Sequence, residues 1–244
     1  MIYIKPLKNS STSKTDQIEK MFDIISSKYD LINQFISLGY DIKWRKKFSD
    51  IIVNYNPKNV LDLATGTGII PIIIANKKKI SILGLDISKS MINICYNKIK
   101  NKIIYRNLKF IKADCQKIFF LKKNQFDIVT IVFGIRNIEN INNLLKEVYR
   151  VLKYNGILMI LEFSNPNKDI KFFNKIYKFY SKYILLNIVK VFTKNLYAYK
   201  YLLKSIDFFT KNVSIKNILK KFKFKNFKLL KLNNGIVSIY IANK

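Results

Sequence analysis

The pattern of apolar positions divides the chain into a helical start and a longer region in which strands and helices alternate. From about Asp16 to Tyr55, apolar residues recur at three- and four-residue spacing, which predicts helices up to a break at Pro57. Short apolar runs, each followed by helical periodicity, predict the next elements. In order, they are strand 59–64, helix 69–77, strand 80–85, a helix capped by Ser88 and running to about 102, strands 108–113 and 125–133, helix 141–152 and strand 157–163.

The last third of the chain predicts helix and then a hairpin. A mostly helical stretch runs from 169 to about 209, and strands 224–232 and 236–242 flank Asn233-Asn234-Gly235. An Asn-Gly step between apolar runs favours an antiparallel hairpin, and Asn155-Gly156 predicts a turn before strand 157–163. The whole pattern predicts an α/β fold with a mostly parallel, doubly wound sheet and an antiparallel pair at one edge. We expect a flexible lead at 1–15 and a single domain at 16–244, with N-terminal helices at 16–56.

Candidate chemistry first occurs between the first strand and its helix. Gly66 and Gly68 stand there, where glycines let a ligand approach the backbone. Pro71 occupies the position of a third glycine, which argues against a dinucleotide motif. Asp86 ends the second strand, where a carboxylate can accept both hydroxyls of a ribose. The glycine pair alone is as typical of a structural turn, but with Asp86 it predicts a ribose-containing ligand.

Two further residues lie at predicted strand ends on the same sheet edge. Asp114 follows the third strand and could accept a hydrogen from an adenine amino group, with a helix N-cap as the alternative. Arg136 follows the fourth strand, at the expected mouth of the site, and the alternative is a surface ion pair with Glu139. The neighbouring Cys115 has no sequence feature that marks it as a nucleophile.

Composition narrows the chemistry further. The chain carries 45 Lys and Arg against 15 Asp and Glu, a formal charge of +30, but 41 of these cations are lysines spread along the whole length. We attribute most of the charge to A/T-rich coding rather than to a nucleic-acid partner, which would favour Arg. No histidine is present, which excludes histidine metal sites and an imidazole base, and we expect no metal. Two cysteines and the lack of an 18-residue apolar run predict a cytoplasmic protein, with membrane contact at most peripheral.

Several segments of the chain form a set that is typical of one family. They are SKYD (27–30) with Asn33, Ser37-Leu38-Gly39 with Trp44, LDLATGTG (61–68), GLDIS (84–88), FGIRN (133–137), 149–153 before Gly156, LEFSNP (161–166), Tyr199-x-Tyr201-Leu202 with Ser205-Ile206, and Gly235-Ile236-Val237. Together they resemble the ubiquinone/menaquinone biosynthesis C-methyltransferases, over about residues 16–242. FGIRN, LEFSNP and SKYD are specific to that family, whereas the glycine motif is common to Rossmann-like methyltransferases.

The resemblance implies a class I S-adenosylmethionine-dependent fold with a seven-stranded sheet and a helical cover of the substrate at 168–210. It implies that the enzyme methylates a polyprenyl quinol with S-adenosylmethionine as cofactor. Thr67 would lie against the methionine part, Asp86 on the ribose, and Asp114 with Cys115 at the adenine. The implied cofactor-binding residues are Asp62, Gly66, Thr67, Gly68, Asp86, Asp114 and Cys115; the implied catalytic residues are Arg136 and Asn137, and the candidate substrate residues are Tyr29 and Tyr201.

The resemblance leaves the substrate open. Demethylmenaquinol is the first expectation, with 2-polyprenyl-6-methoxy-benzoquinol as the alternative. The sequence also fits a small-molecule or RNA methyltransferase of the same fold, or a nucleic-acid-binding protein on an inactive scaffold. Arg136 is expected to stabilise the quinolate and Asn137 to orient a water or hydroxyl, while a carboxylate or water takes the proton. The sequence leaves a homo-oligomer open.

Overall fold

A seven-stranded sheet forms the centre of the computed structural model, which describes residues 4–8, 10–165 and 196–244. The strand order is β3-β2-β1-β4-β5-β7-β6; β1 to β5 run parallel, and β7 runs antiparallel to both of its neighbours. The predicted α/β class and antiparallel edge pair are therefore confirmed. The strands are β1 Asn59–Leu63, β2 Ser81–Asp86, β3 Leu108–Lys112, β4 Phe126–Val132, β5 Leu152–Phe163, β6 Lys225–Leu232 and β7 Val237–Asn243.

Helices pack on both faces of this sheet and beyond its carboxyl edge. The predicted Ser88 cap is confirmed, because its hydroxyl oxygen accepts a hydrogen bond from the backbone N–H of Met91. The helical start comprises two helices that are separated at Ser37 to Gly39. The helices in the described residues are α1 Lys14–Ile36, α2 Tyr40–Asn54, α3 Ile69–Ala75, α4 Lys89–Ile99, α5 Ile141–Val151, α6 Leu196–Asn212 and α7 Ile215–Lys221.

Alternate strand residues supply two cores. On one face, Val60 of β1 belongs to a cluster with Phe48 and Ile52 of α2. On the other face, Leu61 belongs to a cluster with Leu144 of α5. A third cluster joins α1 to α6 and includes Ile87, the residue that follows β2, so these two helices cover the carboxyl edge of the sheet. That edge is where open α/β sheets bind ligands.

Strand β5 departs from the prediction at its start. The turn predicted at Asn155-Gly156 lies inside the strand, which begins at Leu152 rather than at 157. Leu152 pairs with Phe126 and Ile157 pairs with Ile128. The β5 residues between Leu152 and Ile157 therefore outnumber the β4 residues opposite them and form a bulge. Asn155 adopts φ 60°, which asparagine tolerates better than most residues. The Asn-Gly step therefore makes a bulge instead of a turn.

The predicted helical cover at 168–210 is described only in part. Residues 196–210 belong to α6, as predicted, while 168–195 lie outside the described residues, as does Pro166 of the LEFSNP segment. Within the described ranges, no helix has both the length and the apolar character needed to cross a bilayer.

Candidate active site

Two adjoining cavities lie where the strands end. The first, called the inner pocket, opens between the loops that follow β1 to β4, and its empty space, which includes the opening to solvent, is about 660 Å³. The second, called the outer pocket, lies between α1, α2, α6 and the loop after β4, and its empty space, measured in the same way, is about 690 Å³. The two pockets have four lining residues in common, so they meet at a shared wall. These residues are Phe22, Tyr29, Phe133 and Asn137.

Asp86 forms the polar centre of the inner pocket. Its Oδ2 accepts a hydrogen bond from the backbone N–H of Gly66 at 2.8 Å, and its Oδ1 accepts one from that of Ser88 at 2.9 Å. Burial raises the pKa of Asp86 to about 6. Gly66 adopts φ 58°, and a Cβ built on it meets no atom within 4 Å because the pocket lies beyond it. The inner pocket therefore combines a carboxylate with exposed backbone, the two features on which the predicted ribose site depends.

Asp114 and Cys115 line the same pocket on the β3 side. Asp114 Oδ1 accepts hydrogen bonds from the backbone N–H and the side-chain amide of Gln116, both at 2.9 Å. It stands in a turn that leads into no helix, so the alternative of a helix N-cap is wrong. Burial raises the pKa of the Cys115 thiol well above its usual range, which keeps the thiol protonated.

Asp62 lies behind the inner pocket rather than on its wall. Its carboxylate is buried and accepts hydrogen bonds from the hydroxyls of Thr65 and Thr130, each at 2.6 Å. Burial raises the pKa of Asp62 to about 6. The structure therefore gives Asp62 a part in shaping the glycine loop.

Thr67 and Gly68 likewise hold the loop from behind. The hydroxyl of Thr67 donates to the Asp30 carboxylate on α1 at 2.7 Å, and Lys98 Nζ donates to Asp30 at 2.7 Å and to the Thr67 carbonyl at 3.0 Å. Gly68 adopts φ 76°, and a Cβ there would stand 3.0 Å from Cys95 Sγ. The Thr67 side chain therefore faces α1 and does not line the inner pocket, and its hydrogen bond to Asp30 is a contact that sequence reasoning missed.

Arg136 lines the outer pocket from a buried position. Its Nη1 donates to the Phe133 carbonyl and to Glu162 Oε1, both at 2.7 Å, and its guanidinium lies 5.4 Å from the Phe163 ring centroid. The alternative of a surface ion pair with Glu139 is wrong. Glu139 instead accepts hydrogen bonds from the start of α1.

Glu162 is the counter-charge that sequence reasoning missed. Its side chain is fully buried, and its Oε2 has no hydrogen-bond partner among the described residues. Burial raises the pKa of Glu162, and the Arg136 guanidinium opposes that rise. The segment LEFSNP contains Glu162, but no local pattern indicates its partner 26 positions earlier.

Asn137 and the two candidate substrate tyrosines converge on the outer pocket. The Tyr201 hydroxyl donates to Asn137 Oδ1 at 3.2 Å, and Tyr29 contributes to both pockets. Burial raises the pKa of Tyr201 well above its usual range, so its hydroxyl remains a donor. The structure thus brings Arg136, Asn137, Tyr29 and Tyr201 together on the lining of the outer pocket.

Lys14, a buried residue of α1, hydrogen-bonds to the loop after β4 that carries Arg136 and Asn137. Lys14 Nζ donates to the carbonyls of Arg136 at 2.9 Å and Ile138 at 3.2 Å. Burial lowers the pKa of Lys14 to about 7. Among 41 lysines, no sequence signal distinguishes this one.

Comparisons with known proteins show the family and the fold of the chain. Residues 10–244 match the model of the ubiE/COQ5 methyltransferase family. A demethylmenaquinone methyltransferase of Bacteroides fragilis is 35% identical over 242 residues, which are 99% of this chain and 97% of the relative. A ubiquinone/menaquinone biosynthesis C-methyltransferase of Rickettsia typhi is 37% identical over 238 residues, 96% of this chain and 94% of the relative. A solved SAM-dependent methyltransferase of Thermotoga maritima, a possible histamine N-methyltransferase, has a TM-score of 0.60 at 17% identity over 93% of this chain and 99% of that one, a likeness of fold alone.

Proposed function

The chain belongs to the ubiE/COQ5 methyltransferase family, and on that premise we propose that it methylates a ring carbon of demethylmenaquinol. It is an S-adenosylmethionine-dependent methyltransferase, as the sequence predicted. The observation that supports the substrate proposal is the shared wall: the pocket that contains the Asp86 carboxylate adjoins a largely apolar pocket that contains Arg136. The B. fragilis relative, matched over nearly its whole length, supports the naphthoquinol over the benzoquinol.

The inner pocket would hold the cofactor through residues of three strand ends. We assign Asp86 to the ribose hydroxyls, Asp114 with Cys115 to the adenine, and Gly66 to close backbone approach. S-adenosylmethionine supplies an electrophilic methyl group on a sulfonium centre. Asp62, Thr67 and Gly68 keep the glycine loop in shape, since their contacts lie behind it.

The outer pocket would hold the quinol ring. Methylation at carbon needs an electron-rich ring, and loss of the hydroxyl proton supplies that density. Arg136 is suited to stabilise the developing quinolate because its guanidinium stays charged and Glu162 fixes its orientation. Asn137, held by Tyr201, is suited to orient the hydroxyl.

Methyl-labelled S-adenosylmethionine, incubated anaerobically with reduced demethylmenaquinone, tests this function. Mass spectrometry should find the label in the naphthoquinol ring, with less label in the benzoquinol analogue under the same conditions. If the folded protein binds S-adenosylmethionine but labels neither quinol, the assignment is wrong.

We further propose peripheral contact with the inner face of an anionic membrane, from which a polyprenyl quinol would enter. The support is local: Leu38 is 70% exposed beside Ser37, which lines the outer pocket, and Lys46 and Lys47 are exposed on the following helix. Flotation with vesicles tests the contact: Leu38→Asp should reduce binding to anionic vesicles, and equal binding by the variant would refute it.

A further inference from the structure

Removal of the quinol hydroxyl proton needs an acceptor, and this inference rests on the function proposed above. The chain has no histidine. Arg136 holds its own proton, and burial raises the pKa values of Tyr199 and Tyr201, so neither tyrosine gains base character. Among the described residues that line the outer pocket, Asp41 is the one carboxylate.

Asp41 lines the outer pocket, and one of its two carboxylate oxygens is held in place by a hydrogen bond. Its Oδ1 accepts a hydrogen bond from the Ser37 hydroxyl at 2.9 Å, and its backbone N–H donates back to the Ser37 Oγ at 3.2 Å. Its Oδ2 lies 3.9 Å from Arg45 Nε, too far for a hydrogen bond. No described residue therefore donates a hydrogen bond to Oδ2, although the Asp41 side chain is only 10% exposed. An ordered carboxylate with a free oxygen is the arrangement that a general base needs.

Arg45 supports this assignment from the other side. It lies one turn after Asp41 on α2, and its buried Nε has no hydrogen-bond partner among the described residues. Its guanidinium lies 5.4 Å from the ring centroid of Phe133, which belongs to the wall shared by the two pockets. Arg45 therefore places a fixed positive charge beside Asp41 at the wall shared by the two pockets.

We propose that Asp41 is a catalytic residue that accepts the hydroxyl proton of the quinol. The O–H bond breaks, the proton passes to Asp41 Oδ2, and the electron pair of that bond enters the ring. The ring carbon ortho to this oxygen then forms its bond to the transferred methyl, whose former electron pair stays on the departing sulfur. Arg136 stabilises the oxygen that becomes negative. The C–H bond of the methylated carbon then breaks, its electron pair restores the aromatic ring, and its proton passes to water. Asp41 returns the proton that it holds to the ring oxygen, which restores the hydroxyl and the free carboxylate.

Asp41→Asn tests the proposal, with Asp50→Asn as the matched control. Asp50 lies on the same helix, and its carboxylate is half exposed and paired with Lys77. Turnover of demethylmenaquinol by Asp41→Asn should fall by about 100-fold or more, the usual contribution of a general base, while Asp50→Asn keeps the rate of the unmodified chain. Asp41→Glu, which restores a carboxylate, should recover part of the loss. Thermal unfolding and S-adenosylhomocysteine binding identify any variant that fails to fold.

Turnover of a ring-fluorinated quinol distinguishes a role of Asp41 as proton acceptor from a purely structural role. Its hydroxyl is more acidic and depends less on a base, so the loss caused by Asp41→Asn should be smaller with it. Equal losses with both quinols, or an unchanged rate in Asp41→Asn, would overturn the proposal. If the unmodified chain methylates neither quinol, the proposed function fails with it; if it turns over and only the Asp41 result is negative, this inference alone fails.

Discussion

The buried pair between Arg136 and Glu162 gives the most quantitative prediction. The two side chains are 5% and 0% exposed, and Nη1 lies 2.7 Å from Oε1. Glu162→Gln removes the counter-charge and leaves the guanidinium buried without compensation. Breaking a buried pair from one side lowers the free energy of unfolding by about 3–5 kcal/mol, and the amide oxygen of Gln keeps one hydrogen bond, so we expect about 3 kcal/mol.

Urea unfolding of Glu162→Gln, followed by circular dichroism, measures this loss. The control is Asp207→Asn, which breaks an ion pair with Lys211 whose side chains are both 65% exposed, and it should change stability by under about 1 kcal/mol. Replacing Arg136 and Glu162 together by Met should restore most of the stability but none of the turnover. A Glu162→Gln midpoint equal to that of the unmodified chain would refute the pairing.

Three further predictions concern the inner pocket and its loop. Burial raises the pKa of Asp86 to about 6, so the carboxylate becomes protonated below that pH. The affinity for S-adenosylmethionine should then fall by up to about tenfold for each pH unit below about 6. Calorimetric titration of Asp86→Asn should show weak binding that does not change with pH. Gly68→Ala should lower the free energy of unfolding by more than Gly39→Ala does. Both glycines have φ 76°, a strain of about 1–2 kcal/mol for alanine, but only at Gly68 would the added Cβ stand 3.0 Å from Cys95 Sγ. Equal losses of unfolding free energy in urea would contradict this reasoning. Asp30→Ala should weaken S-adenosylhomocysteine binding, because it removes the acceptor for the Thr67 hydroxyl and the partner of Lys98. Unchanged affinity would show that this contact with α1 does not support cofactor binding.

Local sequence patterns predicted those parts of the structure that depend on neighbouring residues. Ser88 caps its helix and Asp86 ends β2, as predicted, because helix caps and strand ends follow from the residue pattern within a few positions. The bulge in β5 was missed because an Asn-Gly step suits a turn and a bulge equally, and only the pairing with β4 decides between them.

Contacts between distant segments could not be predicted in this way. Arg136 pairs with Glu162 rather than with nearby Glu139, because the guanidinium points under the loop toward β5. Asp41 faces the outer pocket only because α2 packs beside the loop after β4. A single sequence carries no signal for either arrangement.

The inner pocket is proposed to bind the cofactor and the outer pocket the quinol, and S-adenosylhomocysteine affinity tests this central assignment most directly. Calorimetry on Asp86→Ala should show a dissociation constant raised about tenfold or more, since a hydrogen bond to a charged group contributes about 1.5–3 kcal/mol. Arg136→Gln, checked for folding by thermal melting, should leave that constant unchanged while lowering turnover. If folded Arg136→Gln lost affinity as much as Asp86→Ala did, the two pockets would not divide cofactor from quinol.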